Sequence, residues 1–198
     1  MLPLLLNKII QTDKLLFLHL VTQKNRIYTF LNPVSYLIAL ENKSLFEQFD
    51  GIFADGSLLV SAIRLVYGKR VTRRSFDMTS LAPELLNYLM ESRKTLYIVA
   101  SGQEQVECSV RIFQEQYPEL RIAGFRNGYF SSDAEMNKEA SHIVELNPDF
   151  LIVGMGALMQ EKFLLKVKKM GYQGIGFTCG GFVHQTAMNR MHYYPNWV

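Results

Sequence analysis

Several classes of protein are excluded by what this sequence has little of. Two cysteines, Cys108 and Cys179, are too few for a disulfide framework or a zinc cluster, and they indicate a reducing, cytoplasmic compartment. Only 6 prolines and 13 glycines among 198 residues exclude a collagen-like or low-complexity chain. A formal net charge of +3 is too small for a nucleic-acid-binding signature, and with 48% hydrophobic residues it also excludes disorder. The sequence therefore predicts one globular domain over residues 1–198.

Long hydrophobic runs are also absent, even in the apolar amino-terminal stretch. Lys8, Asp13 and Lys14 interrupt that stretch, so no run reaches the roughly 18 residues that a membrane span requires. We expect residues 1–21 to form part of the core, and not a signal peptide. An amphipathic segment lying at a membrane surface is the alternative.

Short apolar runs alternate with segments of helical spacing. The runs predict buried strands at residues 27–31, 51–54, 95–100, 122–123, 150–153 and 175–177. Residues 57–67 and 80–92 are predicted to be helices, and a capping box at Ser132 and Glu135 predicts the start of another helix. This alternation is typical of a Rossmann-like α/β fold, in which a mostly parallel sheet is flanked by helices.

Glycines follow three of the predicted strands, and they indicate where a ligand binds. They are Gly102, the pair Gly154 and Gly156, and the pair Gly180 and Gly181. Because the carboxyl ends of parallel strands meet at one edge of a sheet, these glycines should lie together at the edge where α/β proteins bind ligands. Backbone N–H groups there favour a phosphate, so we expect a nucleotide or phosphate pocket. Tight turns without a ligand are the alternative for each glycine taken singly.

Familiar nucleotide and metal motifs are missing. The sequence has no phosphate-binding loop of the GxxxxGK[ST] type. The segment from Gly154 begins like a dinucleotide fingerprint, but Met159 occupies the third glycine position, which argues against a dehydrogenase. No two of the four histidines stand four residues apart, so we expect no metal site.

Five short segments stand in a specific order and spacing. They are Leu31-Asn32-Pro33, Ala54-Asp55-Gly56, Asn127-Gly128-Tyr129-Phe130, the octapeptide from Gly154 to Glu161, and Gly180-Gly181. With these segments, residues 25–198 resemble the WecG/TagA/CpsF family of glycosyltransferases, which is glycosyltransferase family 26.

The resemblance implies a reaction and its partners. The reaction is transfer of a sugar from a UDP-sugar to a polyprenyl-diphosphate-linked acceptor, with inversion and without a metal or other cofactor. The donor would be of the N-acetylmannosamine, uronic acid or hexose type. The products would enter cell-surface polysaccharides such as teichoic acid linkage units or exopolysaccharide. The protein would be peripheral at the cytoplasmic membrane face, and the oligomeric state stays open, a homo-oligomer included.

The resemblance also assigns roles to residues near the first two strands. Asp55 matches the family's proposed base, which takes the proton from the attacking acceptor hydroxyl. The alternative is that Asp55 caps the following helix. Asn32 would hydrogen-bond a sugar, or else only shape a turn. Relatives often carry threonine two residues before this asparagine; here Phe30 holds that position beside Thr29, so a contact through Thr29 stays open.

Further contacts are implied for the donor and its diphosphate. Gln160 and Glu161 would contact the donor sugar or ribose, or else lie in a solvated first helical turn. Arg73, preferred over Arg70 and Arg74, would neutralise the diphosphate leaving group. A solvated basic loop is the alternative for these arginines.

The remaining assignments concern the nucleotide. Tyr129 would pack against the uracil or the sugar, or else is an ordinary core aromatic. Gly180 and Gly181 would let the nucleotide lie against the backbone. His184 stands where many relatives carry aspartate, and would bind the base in a different way. Cys179 is expected to be a small buried residue and not a nucleophile.

The sequence ends at Val198, where relatives lead into a helical, arginine-bearing appendage linked to membrane docking. We expect the domain to lack that appendage. This leaves a second hypothesis, a UDP-binding module with little turnover. Turnover distinguishes it from the transferase, and nucleotide preference distinguishes both from a dehydrogenase.

Overall fold

The computed structural model describes residues 4–9, 17 and 19–189, whose strands form one parallel sheet. In space the strands run in the order β2-β1-β6-β5-β3-β4, so β6 and β5 occupy the middle. The strands are β1 (Arg26–Leu31), β2 (Gly51–Ala54), β3 (Thr95–Ala100), β4 (Arg121–Arg126), β5 (Phe150–Gly154) and β6 (Ile175–Thr178).

Eight α-helices occur in the described part of the chain, and most of them connect consecutive strands. They are α1 (Pro33–Glu41), α2 (Lys43–Phe46), α3 (Ser57–Tyr67), α4 (Leu81–Glu91), α5 (Gln103–Gln116), α6 (Asp133–Leu146), α7 (Met159–Lys169) and α8 (Phe182–Asn189). Local sequence explains several of their ends. The Ser132 hydroxyl accepts a hydrogen bond from the Glu135 N–H at the start of α6, as the capping box predicts.

Apart from the edge strand β4, the sheet is buried on both faces, which explains why the other five strands are almost uniformly apolar. On one face, α4, α5 and α8 pack over an aromatic core that includes Tyr28, Phe53 and Phe177. On the other face, α6 and α7 cover β3 and β5 while α1 and α3 cover β1 and β2. This layering confirms the predicted α/β class.

The predicted elements agree with the observed ones within a few residues. The edge strand β4 is longer than the predicted pair at 122–123, because its exposed alternate positions interrupt the apolar run. In the amino-terminal stretch Leu5, Leu6 and Phe17 are buried, as expected for a core segment. Residues 1–3, 10–16 and 18 of that stretch lie outside the described residues.

Candidate active site

A large cleft lies at the carboxyl edge of the sheet. Its volume is about 990 Å³, at the upper end of the roughly 300–1,000 Å³ typical of small-molecule sites. The loops after β1, β2, β3, β5 and β6 all contribute to its walls. The glycines at the three strand ends line it together, as predicted: Gly102, Gly154, Gly156, Gly180 and Gly181.

Asp55 lies on the cleft wall between β2 and α3. Its backbone N–H donates to the Leu31 carbonyl at 2.8 Å, which fixes it beside the end of β1. The residue that caps α3 is Gly56, with φ +89°, and no side chain makes the capping hydrogen bond. The capping alternative for Asp55 is therefore not realised, and its carboxylate faces the cleft.

Three neighbours set the acidity of Asp55. Burial raises the pKa of this carboxyl, and the negative charge of Asp77 raises it further. The positive charge of Arg73 and a backbone hydrogen bond from Gly56 oppose the rise without cancelling it. A carboxylate with a raised pKa is a stronger base than an ordinary aspartate, which suits proton abstraction.

Asn32 is both a helix cap and a cleft residue. Its Oδ1 accepts from the Ser35 N–H at 2.9 Å, and the Ser35 hydroxyl accepts from the Asn32 N–H at 2.8 Å. This capping box commits the amide oxygen to α1. The Nδ2 group makes no hydrogen bond with any described residue, and Asn32 lines the cleft. It is therefore placed to donate to a ligand.

The arginines after α3 have different surroundings. Arg74 is buried and forms an ion pair with Glu84 at 2.9 Å, so its side chain is committed to the interior. Arg73 is 40% exposed; its guanidinium donates to the Ser75 hydroxyl at 3.1 Å and lies 3.6 Å from the Asp77 carboxylate. Arg73 lies beside the cleft and is not part of its lining, yet its charge acts on Asp55.

A buried polar network supports the floor of the cleft. Glu161 accepts from the Thr29 hydroxyl and from Gln160 Nε2, each at 2.9 Å. Gln160 Oε1 in turn accepts from the Gly180 N–H at 3.1 Å, and the Thr29 and Thr178 hydroxyls lie 2.9 Å apart. The network thus joins β1, β6 and α7 to the glycine loop after β6.

The network changes the interpretation of two predicted contacts. Thr29 and Glu161 are 0% and 1% exposed and do not line the cleft, so they support it from beneath and do not reach a ligand here. Gln160 is also buried, at 5% exposed, but it does line the cleft. Burial raises the pKa of Glu161, although its hydrogen bonds oppose the rise. Glu161 therefore does not lie in a solvated helical turn.

Two of the glycines that line the cleft, Gly154 and Gly180, are required for different reasons. A Cβ on Gly154 would lie 2.6 Å from the Gly180 carbonyl oxygen and 2.8 Å from Cys179 Sγ, so only glycine lets β5 and β6 end this close together. Gly180 has φ +52°, a left-handed conformation that side chains rarely adopt, and this turns its N–H toward Gln160.

Tyr129 lies at the rim of the cleft and is 74% exposed, so it is not a core aromatic. Its loop is held by Arg126, a residue that the sequence did not single out. Arg126 donates to the carbonyls of Asn127 and Tyr129, each at 3.0 Å. Its guanidinium also lies 4.0 Å from the ring centre of Phe130 and pairs with Glu135 at 3.1 Å. All of these contacts join residues that lie within nine positions of each other in the sequence.

The remaining predicted residues are His184 and Cys179, and both line the cleft. His184 is exposed in the first turn of α8 and lines the cleft. Cys179 is buried, and burial raises the pKa of its thiol well above the usual value, so it is not a reactive thiolate. Ser101 and Gln105, not singled out in the sequence, complete the wall beside Gly102.

Metal-binding clusters and membrane-spanning helices are both absent from the described residues. In residues 4–9, 17 and 19–189, no group of three His, Cys, Asp or Glu side chains is arranged to hold a metal ion. Within that same part of the chain, no helix has the length and apolar character needed to cross a membrane.

The sequence matches the WecG/TagA/CpsF family of glycosyl transferases over residues 10–198. The chain belongs to this family. The resemblance inferred from the five short segments is thereby confirmed, and the cleft with Asp55 is the candidate active site of a WecG/TagA/CpsF glycosyltransferase.

Curated relatives of this glycosyltransferase have names that share a GlcNAc-diphosphoundecaprenol acceptor and differ in the sugar that is transferred. A UDP-Gal:alpha-D-GlcNAc-diphosphoundecaprenol beta-1,4-galactosyltransferase of Shigella boydii is 33% identical over 87% of this chain and 71% of its own length. An N-acetylglucosaminyldiphosphoundecaprenol N-acetyl-beta-D-mannosaminyltransferase of Bacillus subtilis strain 168 is 24% identical over 82% of this chain and 63% of its own length. The Staphylococcus aureus enzyme of the same name, from strain NCTC 8325, is 26% identical over 61% of this chain and 46% of its own length.

Proposed function

We propose that this protein transfers a sugar from a UDP-sugar to a polyprenyl-diphosphate-linked sugar, with inversion, and that Asp55 is the base. The observation that carries the proposal is the half-buried Asp55 carboxylate, with a raised pKa, facing a cleft of about 990 Å³. The names of the relatives support a diphosphoundecaprenol-linked acceptor, and the name of the Shigella boydii enzyme supports a UDP-sugar donor.

The chemistry follows from the position of Asp55. Its carboxylate removes the proton from an acceptor hydroxyl while that oxygen attacks the anomeric carbon of the donor. The new carbon–oxygen bond forms as the bond to the diphosphate breaks, and UDP leaves with the electron pair. Attack from the face opposite the leaving group inverts the anomeric centre.

The leaving diphosphate needs positive charge or N–H donors in place of a metal. Arg73 lies beside the cleft near Asp55. The glycines at the strand ends that line the cleft leave backbone groups accessible to a ligand there. Asn32 Nδ2 is available to a sugar hydroxyl, and Tyr129 can cover the uracil or the sugar at the rim. We assign donor binding to the β5 and β6 loops, His184 included, and acceptor binding to the side of Asn32 and Asp55.

A thermal-shift titration with UDP, with AMP and NAD as controls, tests the pocket. A ligand at about 100 times its dissociation constant stabilises a protein by about 2.7 kcal/mol. For a chain of this size that raises the unfolding midpoint by about 5–11 °C. We expect this shift with UDP and none with AMP or NAD. A shift with NAD alone would overturn the proposal in favour of a dehydrogenase.

A further inference from the structure

One buried carboxylate, that of Glu161, is hydrogen-bonded toward two loops of the cleft. Its Oε2 accepts from the Leu158 N–H at 2.7 Å, in the loop between β5 and α7. Its Oε1 accepts from Gln160 Nε2 at 2.9 Å, and Gln160 Oε1 accepts from the Gly180 N–H at 3.1 Å, in the loop after β6. Residues of both loops line the cleft, whereas Glu161 is 1% exposed and does not. Glu161 can therefore act on a ligand only through the residues that it holds.

Each of these two loops contains a residue in the left-handed region of backbone conformation. Leu158 has φ +72° and Gly180 has φ +52°. A non-glycine residue rarely adopts such a conformation, and it persists only where its surroundings fix it. Glu161 Oε2 supplies that contact to the Leu158 N–H, and the Gln160 amide supplies the corresponding contact to the Gly180 N–H. The shape of both loops thus depends on the pair formed by Gln160 and Glu161.

The orientation of the Gln160 amide follows from its two partners. A backbone N–H only donates, so the amide atom that faces Gly180 has to be the oxygen. The NH2 group then faces Glu161, whose carboxylate oxygen accepts from it. The opposite orientation would set two donors against each other at Gly180 and two acceptors against each other at Glu161. The carboxylate of Glu161 therefore selects the orientation in which Gln160 holds the Gly180 loop.

We propose that Glu161 is a positioning residue for the sugar donor: it holds the Leu158 loop directly and the Gly180 loop through the Gln160 amide. The assignment depends on the proposed function in one respect, since these are the loops to which donor binding is assigned. Loops that are already in place bind a ligand without a further cost for ordering them. Asp55 makes none of these hydrogen bonds, so acceptor binding should not depend on Glu161.

An exchange of the two side chains tests the proposal. In Glu161→Gln the amide oxygen must still accept from the Leu158 N–H, so the new NH2 group meets the NH2 group of Gln160. In Gln160→Glu two carboxylates face each other across the same contact. The double variant Gln160→Glu/Glu161→Gln removes both conflicts. The amide at position 161 then donates to the carboxylate at position 160, which still accepts from the Gly180 N–H, and the Thr29 hydroxyl can rotate to accept from that amide.

Two measurements on the full chain report the effect: UDP affinity by titration, and hydrogen exchange at the Gly180 amide. Hydrogen exchange reports local opening of the loop whether or not UDP binds. Thr95→Val is the matched control at the opposite edge of the sheet. It removes a hydroxyl that accepts from the Asp149 N–H at 2.9 Å and donates to the Asp149 carboxylate at 3.0 Å. The control therefore destabilises the fold without touching either loop.

We expect each single variant to bind UDP about tenfold less tightly and to exchange the Gly180 amide about tenfold faster, because buried donors or acceptors are left without partners. The double variant should recover most of both losses. Thr95→Val should unfold at a lower temperature and keep the wild-type UDP affinity. In transfer assays, Glu161→Gln should raise the KM for the donor and leave the KM for the acceptor unchanged.

Three results would overturn the proposal. The first is wild-type UDP affinity and wild-type Gly180 exchange in Glu161→Gln. The second is a double variant in which neither quantity recovers, since the two side chains would then act separately. The third is a Thr95→Val protein that loses as much UDP affinity as Glu161→Gln, which would make the effect one of general destabilisation. A wild-type protein that binds no UDP contradicts the proposed function instead, and Gly180 exchange in the variants still tests the role of Glu161.

Discussion

Replacing Gly154 by alanine separates glycines needed for packing from glycines needed by a ligand. The added Cβ would lie 2.6 Å from the carbonyl oxygen of Gly180 and 2.8 Å from Cys179 Sγ, and the oxygen belongs to backbone that cannot rotate away. Overpacking of this kind costs about 1–3 kcal/mol. For a chain of this length the unfolding midpoint should fall by about 2–12 °C.

Gly181→Ala is the matched substitution in the same cleft. Its Cβ would meet no atom nearer than Gln185 Nε2 at 3.8 Å, an ordinary contact, so the unfolding midpoint should stay within about 2 °C of the wild type. If the nucleotide lies against this backbone, the new methyl group occupies ligand space and UDP affinity falls about tenfold or more.

Differential scanning calorimetry and UDP titration of both variants give the answer. The expected pattern is a destabilised Gly154→Ala protein and a stable Gly181→Ala protein that binds UDP weakly. A Gly154→Ala protein as stable as the wild type would refute the packing calculation. Wild-type UDP affinity in Gly181→Ala would show that this glycine only makes a turn.

Two further predictions follow from the charges in and under the cleft. Asp77 raises the pKa of Asp55, so Asp77→Asn should move the acid limb of the kcat/KM–pH profile to lower pH. Arg73 lowers the same pKa, so Arg73→Gln should move that limb to higher pH. Shifts of the same sign and size in both variants would contradict this assignment. The pKa of Glu161 is raised in the folded protein. The wild type should therefore lose stability relative to Glu161→Gln as the pH rises from about 4.5 through the raised pKa. A difference in unfolding midpoint that does not change with pH would argue against ionisation of this buried acid.

Much of the fold could be predicted because its signals are local. Five of the six strands are short apolar runs, and the central ones end at glycines that the structure brings to one edge. Helix α1 gave no clear signal, since apolar residues occur around most of its circumference and Asn32 and Pro33 resemble a turn. Strand β4 was underestimated because half of its positions are exposed at the sheet edge.

The candidate site was only partly predictable, because its support is non-local. Thr29 stands three residues before Asn32, yet it points to the α7 side of the sheet and meets Glu161, 132 residues later. No sequence pattern reports that pairing. Local motifs identified the cleft, while the three-dimensional packing decided which residues line it and which lie beneath it.

The most direct test of the central claim compares transfer and UDP binding in the wild type and Asp55→Asn. Asparagine keeps the size of the side chain and removes its basicity, so transfer from a UDP-sugar to a polyprenyl-diphosphate-linked acceptor should fall by about 10²–10⁴-fold. UDP affinity should change little, because Asp55 is assigned to the acceptor side. Transfer at the wild-type rate by Asp55→Asn, or loss of UDP binding in a folded protein, would contradict Asp55 as the base.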